Sequence, residues 1–130
     1  GGNAPTLYKL LAEALRFMKP DYVVWASGMN DRDFAAWNEV TVKAIRLIES
    51  SGATPVLCTV PSVPSRDKSD INSHIRAGKY RYIDFSIAVS DDKGHWNSGM
   101  LAFDNVHPTE LGATALAMRA LVDFPELLNE

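Results

Sequence analysis

The feature that most constrains the fold of this chain is a regular alternation of amphipathic helical segments with short apolar runs. Apolar residues recur at helical spacing in four segments, the third weaker than the others: residues 5–19, 33–51, 66–77 and 108–122. Three apolar runs between them have the length of buried parallel strands: residues 21–27, 54–60 and 80–85. Such alternation requires parallel strands joined by crossover helices, so the sequence predicts an α/β fold, a three-layer α/β/α sandwich.

Capping and breaking residues predict where these helices begin and end. Asn3 is placed to cap the first helix and Pro5 suits its first turn. Asp31 is a candidate N-cap for the second helix, which Gly52 would end. Pro108 is predicted to occupy the first position of the last helix. Residues 87–103 carry no such pattern and are predicted to be irregular.

Length and composition indicate one domain, residues 1–130, with an ordinary balance of 46% hydrophobic and 22% charged residues. A net charge of −3 gives no reason to expect nucleic acid or an anionic membrane as partner. Apolar runs fall far short of the ~20 residues that a membrane span needs. The lone Cys58 cannot form an internal disulfide, and no His or Cys pair shows metal-ligand spacing. We therefore expect no metal and no cofactor.

Two polar clusters stand where the strand and helix patterns change. Asn30 follows a buried strand and could offer its amide to a developing oxyanion, with Gly28 allowing close backbone approach. An ordinary strand-to-helix turn explains the same residues. In the second cluster, Asp104 and His107 are three apart, a spacing at which the carboxylate can orient the imidazole as a general base. Alternatively, Asp104 caps a helix and His107 is an exposed loop residue.

Other candidate site residues lie near the amino terminus and in the irregular segment. Gly2 opens the first helix, where a backbone N–H could also receive an oxyanion, although helix capping explains it equally well. Met29, Trp96 and Met100 are candidate walls of a substrate pocket, and the alternative is that they are surface loop residues.

Taken together, these elements resemble the SGNH (GDSL-type) hydrolase superfamily. The family's Gly-x-Asn-Asp block is similar to residues 28–31, and its Asp-x-x-His-Pro block to residues 104–108. The resemblance implies a flavodoxin-like α/β/α sandwich in which Asn30 and Gly2 form the oxyanion hole. It also implies that Asp104 and His107 belong to a Ser-His-Asp triad. The implied function is ester hydrolysis by a serine enzyme acting on a small-molecule or glycan ester, such as a carbohydrate O-acetylesterase or a related acyl hydrolase.

The chain departs from that family in one respect, because it contains no Gly-Asp-Ser and no Gly-x-Ser-x-Gly. The family's nucleophile block and first two strands would precede Gly1. We therefore expect this to be the carboxy-terminal part of the domain, inactive by itself. A missing amino-terminal segment, a partner chain or a swapped copy would then complete the sheet and supply the serine. Ser27 is the alternative internal nucleophile, but it directly precedes the proposed oxyanion residues.

Two other functions are compatible with an α/β chain of this kind. The first is a non-catalytic binding module derived from an SGNH hydrolase, which would bind a glycan or protein and turn nothing over. The second is a flavodoxin-like nucleotide binder, which is disfavoured because no Gly-rich phosphate loop occurs.

Overall fold

Three parallel strands form the sheet in a computed structural model that describes residues 2–128. They are β1 (Tyr22–Trp25), β2 (Thr54–Cys58) and β3 (Arg81–Ile83), paired in the order β1-β2-β3. The register places Val24 opposite Val56, and Val56 opposite Arg81. The predicted α/β class and parallel pairing are confirmed.

Five α-helices and a closing 3₁₀ turn surround the sheet: α1 (Ala4–Ala14), α2 (Phe34–Ser50), α3 (Ser69–Ala77), α4 (Phe85–Val89), α5 (Glu110–Asp123) and the 3₁₀ turn Pro125–Leu128. The prediction of an irregular segment from residue 87 was wrong at its start, where α4 lies. Asp84 caps α4 by accepting a hydrogen bond from the Ile87 N–H at 3.4 Å. A helix of five residues is too short to show a periodic pattern.

The predicted cap of α1 is confirmed, whereas that of α2 is wrong. Asn3 Oδ1 accepts a hydrogen bond from the Thr6 N–H at 3.1 Å, with a proline in the first turn. At α2 the capping carboxylate is that of Asp33, which accepts from the Ala35 N–H at 3.1 Å. Asp31 binds elsewhere, because its carboxylate receives the Ala4 N–H of α1.

The start of α5 also differs from the prediction. Thr109 is its N-cap and accepts a hydrogen bond from the Gly112 N–H at 3.2 Å, so Pro108 precedes the helix instead of opening it. The reading of Asp104 as a helix cap is wrong for the same reason. Its carboxylate serves the turn before the helix.

An apolar cluster lies on each face of the sheet, between the sheet and its helices, and this makes three layers. One core joins β1 and β2 to α1, α2 and α3; its buried residues include Ala4, Trp25, Trp37, Ala44, Ile45, Leu57, Ile71 and Ile75. The opposite core is smaller and lies beneath α5; its buried residues are Val56, Cys58, Ile83 and Phe124. The predicted α/β/α sandwich is therefore observed.

One face of β1 is partly open to solvent in the described part of the chain. Tyr22 and Val24, on the face shared with Val56, remain 37% and 40% exposed. On α5, Met118 and Val122 are likewise exposed. Within residues 2–128, β1 is an edge strand with one open face.

Candidate active site

The side chains of Asp104 and His107 contact each other in the turn that leads into α5. His107 Nδ1 lies 2.7 Å from Asp104 Oδ2, and Asp104 Oδ1 accepts hydrogen bonds from the backbone N–H groups of Val106 and His107, each at 2.9 Å. Asn105 turns the chain between them with a left-handed φ of 60°. The imidazole is 76% exposed, so its outer edge is accessible.

These contacts determine the protonation state of Asp104. The backbone N–H of His107 contributes most, followed by its side chain and the Val106 N–H, and together they lower the pKa of Asp104 to about 2. The carboxylate is therefore ionised at neutral pH. An ionised carboxylate can only accept, so His107 Nδ1 carries the proton of this hydrogen bond. The lone pair of the imidazole is then on Nε2. This is the tautomer of a general base.

Backbone contacts hold this turn against the preceding loop. The Ala102 N–H donates to the His107 carbonyl at 2.8 Å, and the Thr109 N–H donates to the Met100 carbonyl at 2.9 Å. Gly112 allows the close packing, because a Cβ there would lie 2.3 Å from the Met100 carbonyl oxygen. These contacts thus position α5 together with Asp104 and His107, the pair called the dyad below.

A second acid and imidazole pair makes a useful comparison. Asp91 accepts the backbone N–H of His95 at 2.9 Å, as Asp104 does for His107. However, the Nδ1–Oδ2 distance between the side chains is 3.6 Å, longer than a hydrogen bond. Of these two pairs, the one that the motif predicted has its side chains within hydrogen-bond distance.

The loop after β1 places the predicted oxyanion residues at the carboxyl edge of the sheet. Gly28 is buried with a φ of 122°, and a Cβ there would lie 3.0 Å from Val60 Cγ2. Asn30 is exposed, and its Oδ1 accepts a hydrogen bond from Arg66 Nη1 at 3.1 Å. Arg66 therefore holds the Asn30 side chain by its amide oxygen.

Hydrogen bonds join the start of α1 to the loop of residues 28–31. Both carboxylate oxygens of Asp31 lie within hydrogen-bond distance of the Ala4 N–H, at 2.9 and 3.1 Å. Gly2 lies two residues before Ala4, so this contact links the segments that carry the two predicted oxyanion residues. A negative charge at a helix N-terminus is favourable, which explains the position of Asp31.

A hydrogen bond also ties the loop after β2 to the segment that follows α4. Trp96 is half-buried, and its Nε1 donates to the Ser62 carbonyl at 2.6 Å. It lines a cavity of about 900 Å³ between α3 and the loop that follows α4. Met29 and Met100 are half-buried and line neither this cavity nor a smaller one of about 450 Å³ beside Arg66.

Ser27 has a structural role. Its hydroxyl is buried and accepts a hydrogen bond from Trp37 Nε1 at 2.9 Å. A serine in this position stabilises the α2 side of the core.

Two residues of this region were missed by the sequence reasoning, Arg66 and Lys68. Both contact the loop of residues 28–31 from the loop between β2 and α3. In sequence they belong to an ordinary polar stretch, and no motif marks them.

Among residues 2–128, no three His, Cys, Asp or Glu side chains are grouped so that they could hold a metal ion. None of the described helices is both long and apolar enough to span a membrane.

Comparison with known proteins gives matches in structure only. No protein-family model and no curated protein sequence matches the chain. The fold superposes with a TM-score of 0.80 on a protein from Desulfitobacterium hafniense DCB-2 described as lipolytic and of the G-D-S-L family; the identity is 16%, over 95% of this chain and 76% of that one.

Two further solved structures come from Bacteroides. An acylhydrolase-type protein of Bacteroides fragilis NCTC 9343 has a TM-score of 0.72 at 18% identity, covering 93% of this chain and 68% of that one. A GDSL-like lipase of Bacteroides thetaiotaomicron VPI-5482 has a TM-score of 0.70 at 18% identity, covering 93% and 69%. The chain therefore has the hydrolase-like α/β fold of the GDSL (SGNH) proteins that its motifs resemble.

Proposed function

We propose that this chain forms the base-bearing part of a serine ester hydrolase of the SGNH type. The observation that carries the proposal is the contact of 2.7 Å between Asp104 and His107, with the carboxylate held ionised by two backbone N–H groups. An exposed imidazole so oriented is equipped to take a proton from a hydroxyl nucleophile. The GDSL-type fold around it supports the same chemistry.

In the proposed reaction His107 Nε2 takes the proton of a serine hydroxyl as the oxygen attacks the ester carbonyl. Asn30 and the Gly2 N–H stabilise the oxyanion of the tetrahedral intermediate. His107 then gives its proton to the departing alcohol, which leaves an acyl-serine. Water, deprotonated by the same imidazole, releases the acid and restores the serine.

The serine comes from a polypeptide segment that pairs with β1. Support comes from the open face of this strand, where Tyr22 and Val24 are exposed, and from the exposed residues Met118 and Val122 on α5. A further strand with its helix would bury both surfaces. That segment is the missing amino-terminal part, a partner chain or a swapped copy.

The substrate we propose is an O-acetylated carbohydrate or a related acyl ester. The cavity beside Trp96 supports it, because it combines an aromatic wall with hydroxyl, amide and guanidinium groups; its lining includes Ser62, Asn72, Arg76, Ser90 and Leu101. Leu101 pairs with Pro108, next to His107. The cavity thus approaches the dyad.

The test joins this chain to the residues that precede it in its gene and measures hydrolysis of p-nitrophenyl acetate and an acetylated xylo-oligosaccharide. We expect His107→Ala to lower kcat to the residual level of triad knockouts, a loss of about 10³-fold or more. His74→Ala is the matched control and should retain turnover. A serine-reactive phosphonate should label a serine outside this chain.

Several outcomes would contradict the proposal. Turnover that survives in His107→Ala but is lost in His95→Ala would show that His95, and not His107, is the base. Labelling of Ser27 would place the nucleophile inside this chain. A joined protein that binds acetylated oligosaccharide without turnover or labelling would be the non-catalytic binding module.

A further inference from the structure

Lys68 is a buried cation directed at residues 28–31, the loop that carries the proposed oxyanion residue Asn30. It is 5% exposed, and its Nζ donates to the carbonyls of Gly28 at 2.6 Å and Asp31 at 2.8 Å. Burying an ammonium group is costly unless its N–H groups are satisfied. The two carbonyls that it binds lie at the two ends of residues 28–31, so the ammonium holds both ends of this loop.

Arg66 holds the middle of the same loop. Its Nη1 lies 3.4 Å from the Met29 carbonyl and 3.1 Å from Asn30 Oδ1. The backbone of Arg66 is itself fixed, because it exchanges two hydrogen bonds with Val63 at 2.9 and 3.0 Å. The guanidinium therefore reaches the loop from a rigid turn.

Because amide groups are planar, these contacts fix the directions of the carbonyl and N–H groups of the loop. In a trans peptide the carbonyl and the N–H point in opposite directions. When Lys68 binds the Gly28 carbonyl, the N–H of Met29 in the same peptide unit points away from the ammonium. When Arg66 binds Asn30 Oδ1, it fixes which end of the amide is the oxygen, so the Nδ2 donors are held at the other end of the same plane. The N–H groups of Met29 and Asn30 therefore point away from the cations, whereas the Asp31 N–H turns back and donates to the Gly28 carbonyl at 3.2 Å.

We propose that Lys68 and Arg66 are positioning residues for the oxyanion hole: they hold the backbone of residues 28–31 and the side-chain amide of Asn30 in the donor orientation. This inference rests on the function proposed above. Neither residue needs to touch the substrate, since each acts through a carbonyl oxygen of the loop.

The test compares Arg66→Ala and Lys68→Met with the matched control Arg32→Ala. Arg32 is exposed on the same loop, and it has no hydrogen bond or ion pair within the described range 2–128. In the joined, hydrolytically competent protein we expect Arg66→Ala to lower kcat about 10- to 100-fold with KM changed less than twofold, as for a displaced catalytic group. Free guanidinium should restore part of the kcat, which a general loss of folding would not allow.

Hydrogen–deuterium exchange provides a readout that does not depend on turnover. For Lys68→Met we expect faster exchange of the amides of residues 28–32, by about 10-fold or more, while β2 keeps its protection. Exchange that rises equally in β2 would show a global effect and overturn the inference. Unchanged kcat in Arg66→Ala would also overturn it.

The two proposals fail in different ways. If the joined wild-type protein hydrolyses no ester, the proposed function fails, and exchange alone decides whether Lys68 and Arg66 hold the loop. If the wild type is active and both variants match Arg32→Ala in kcat and exchange, the function stands and the positioning role is wrong.

Discussion

At the scale of single residues, Asp104 accepts hydrogen bonds from two backbone N–H groups and from an imidazole. These bonds, first of all the one from the His107 N–H, lower its pKa to about 2, so its carboxylate orients the imidazole and does not itself act as a base. Its negative charge fixes which nitrogen of His107 carries the proton. The dyad thus depends on three hydrogen bonds within four residues.

Replacing Asp104 with Asn tests this dependence. The side-chain amide of the new Asn can keep the shape of the turn, but it carries no charge. Its NH₂ group can also donate to Nδ1 of His107, which places the imidazole proton on Nε2 instead. We expect kcat in the joined protein to fall by about 10³–10⁴-fold, while circular dichroism remains that of the wild type. The matched control is Glu110→Gln, an exposed carboxylate in the first turn of α5, which should change kcat less than twofold. A comparable loss in both variants would contradict the special role of Asp104.

The ionisation of Asp104 can be measured on this chain alone. Its pKa is lowered from 3.8 to about 2, so the native contacts stabilise the folded chain above pH 4. That contribution is lost as pH falls from about 4 towards 2, because the protonated carboxyl is a weaker acceptor. A carbon-detected NMR titration should give a midpoint near 2; a midpoint near 4 would contradict the hydrogen-bonded geometry.

At the scale of elements, the dyad is positioned by the docking of α5 against the loop before it. Gly112 is the point of closest approach, since a Cβ would lie 2.3 Å from the Met100 carbonyl oxygen. The other end of the helix is fixed through Asp123, which accepts the Asp84 N–H at 2.7 Å. Both ends of α5 are therefore tied to loops at the edge of the sheet.

Gly112→Ala should displace this helix from the turn. The added methyl group cannot be accommodated by a flexible side chain, because its nearest neighbour is backbone. We expect a loss of about 1–3 kcal/mol in the free energy of unfolding, measured by urea denaturation, and a fall in kcat of the joined protein. Thr114→Ala, an exposed change on the same helix, should alter stability by less than about 0.5 kcal/mol.

Asp84 connects β3 to α3 and to the following helix. Burial opposes its ionisation, but hydrogen bonds from Arg76 and Thr59 outweigh that effect and lower its pKa. We expect Asp84→Asn to destabilise the chain by about 1–3 kcal/mol at pH 7. The loss should shrink as pH falls below about 4, because the wild-type carboxylate then becomes protonated. Asp70→Asn is the exposed control on α3, and urea denaturation at both pH values is the measurement.

At the scale of the whole molecule, the described chain leaves one apolar surface uncovered. Val24 on β1 is 40% exposed, and Met118 and Val122 on α5 are 63% and 71% exposed. Apolar patches of this kind promote association, and an edge strand adds unpaired backbone groups. The proposed serine-bearing segment would cover both features.

We therefore expect the chain alone to associate as its concentration rises. The double variant Met118→Glu/Val122→Glu should shift sedimentation velocity towards the monomer, because charges would line the exposed face of α5. Phe103→Glu, at a fully exposed loop residue, is the control and should leave the association unchanged. Sedimentation that is concentration-independent in the wild type would contradict this role of the surface.

Local patterns were sufficient to predict part of this molecule. The alternation of helices and strands, the Asn3 cap and the contact between Asp104 and His107 all depend on spacings of a few residues, which the sequence displays directly. The remaining features depend on contacts between distant segments. Asp31 binds Ala4 instead of capping α2, and Lys68 crosses to a loop about 40 residues earlier. Only packing decides which distant carbonyl or N–H a polar side chain reaches, because many sites compete for it and periodicity does not distinguish among them.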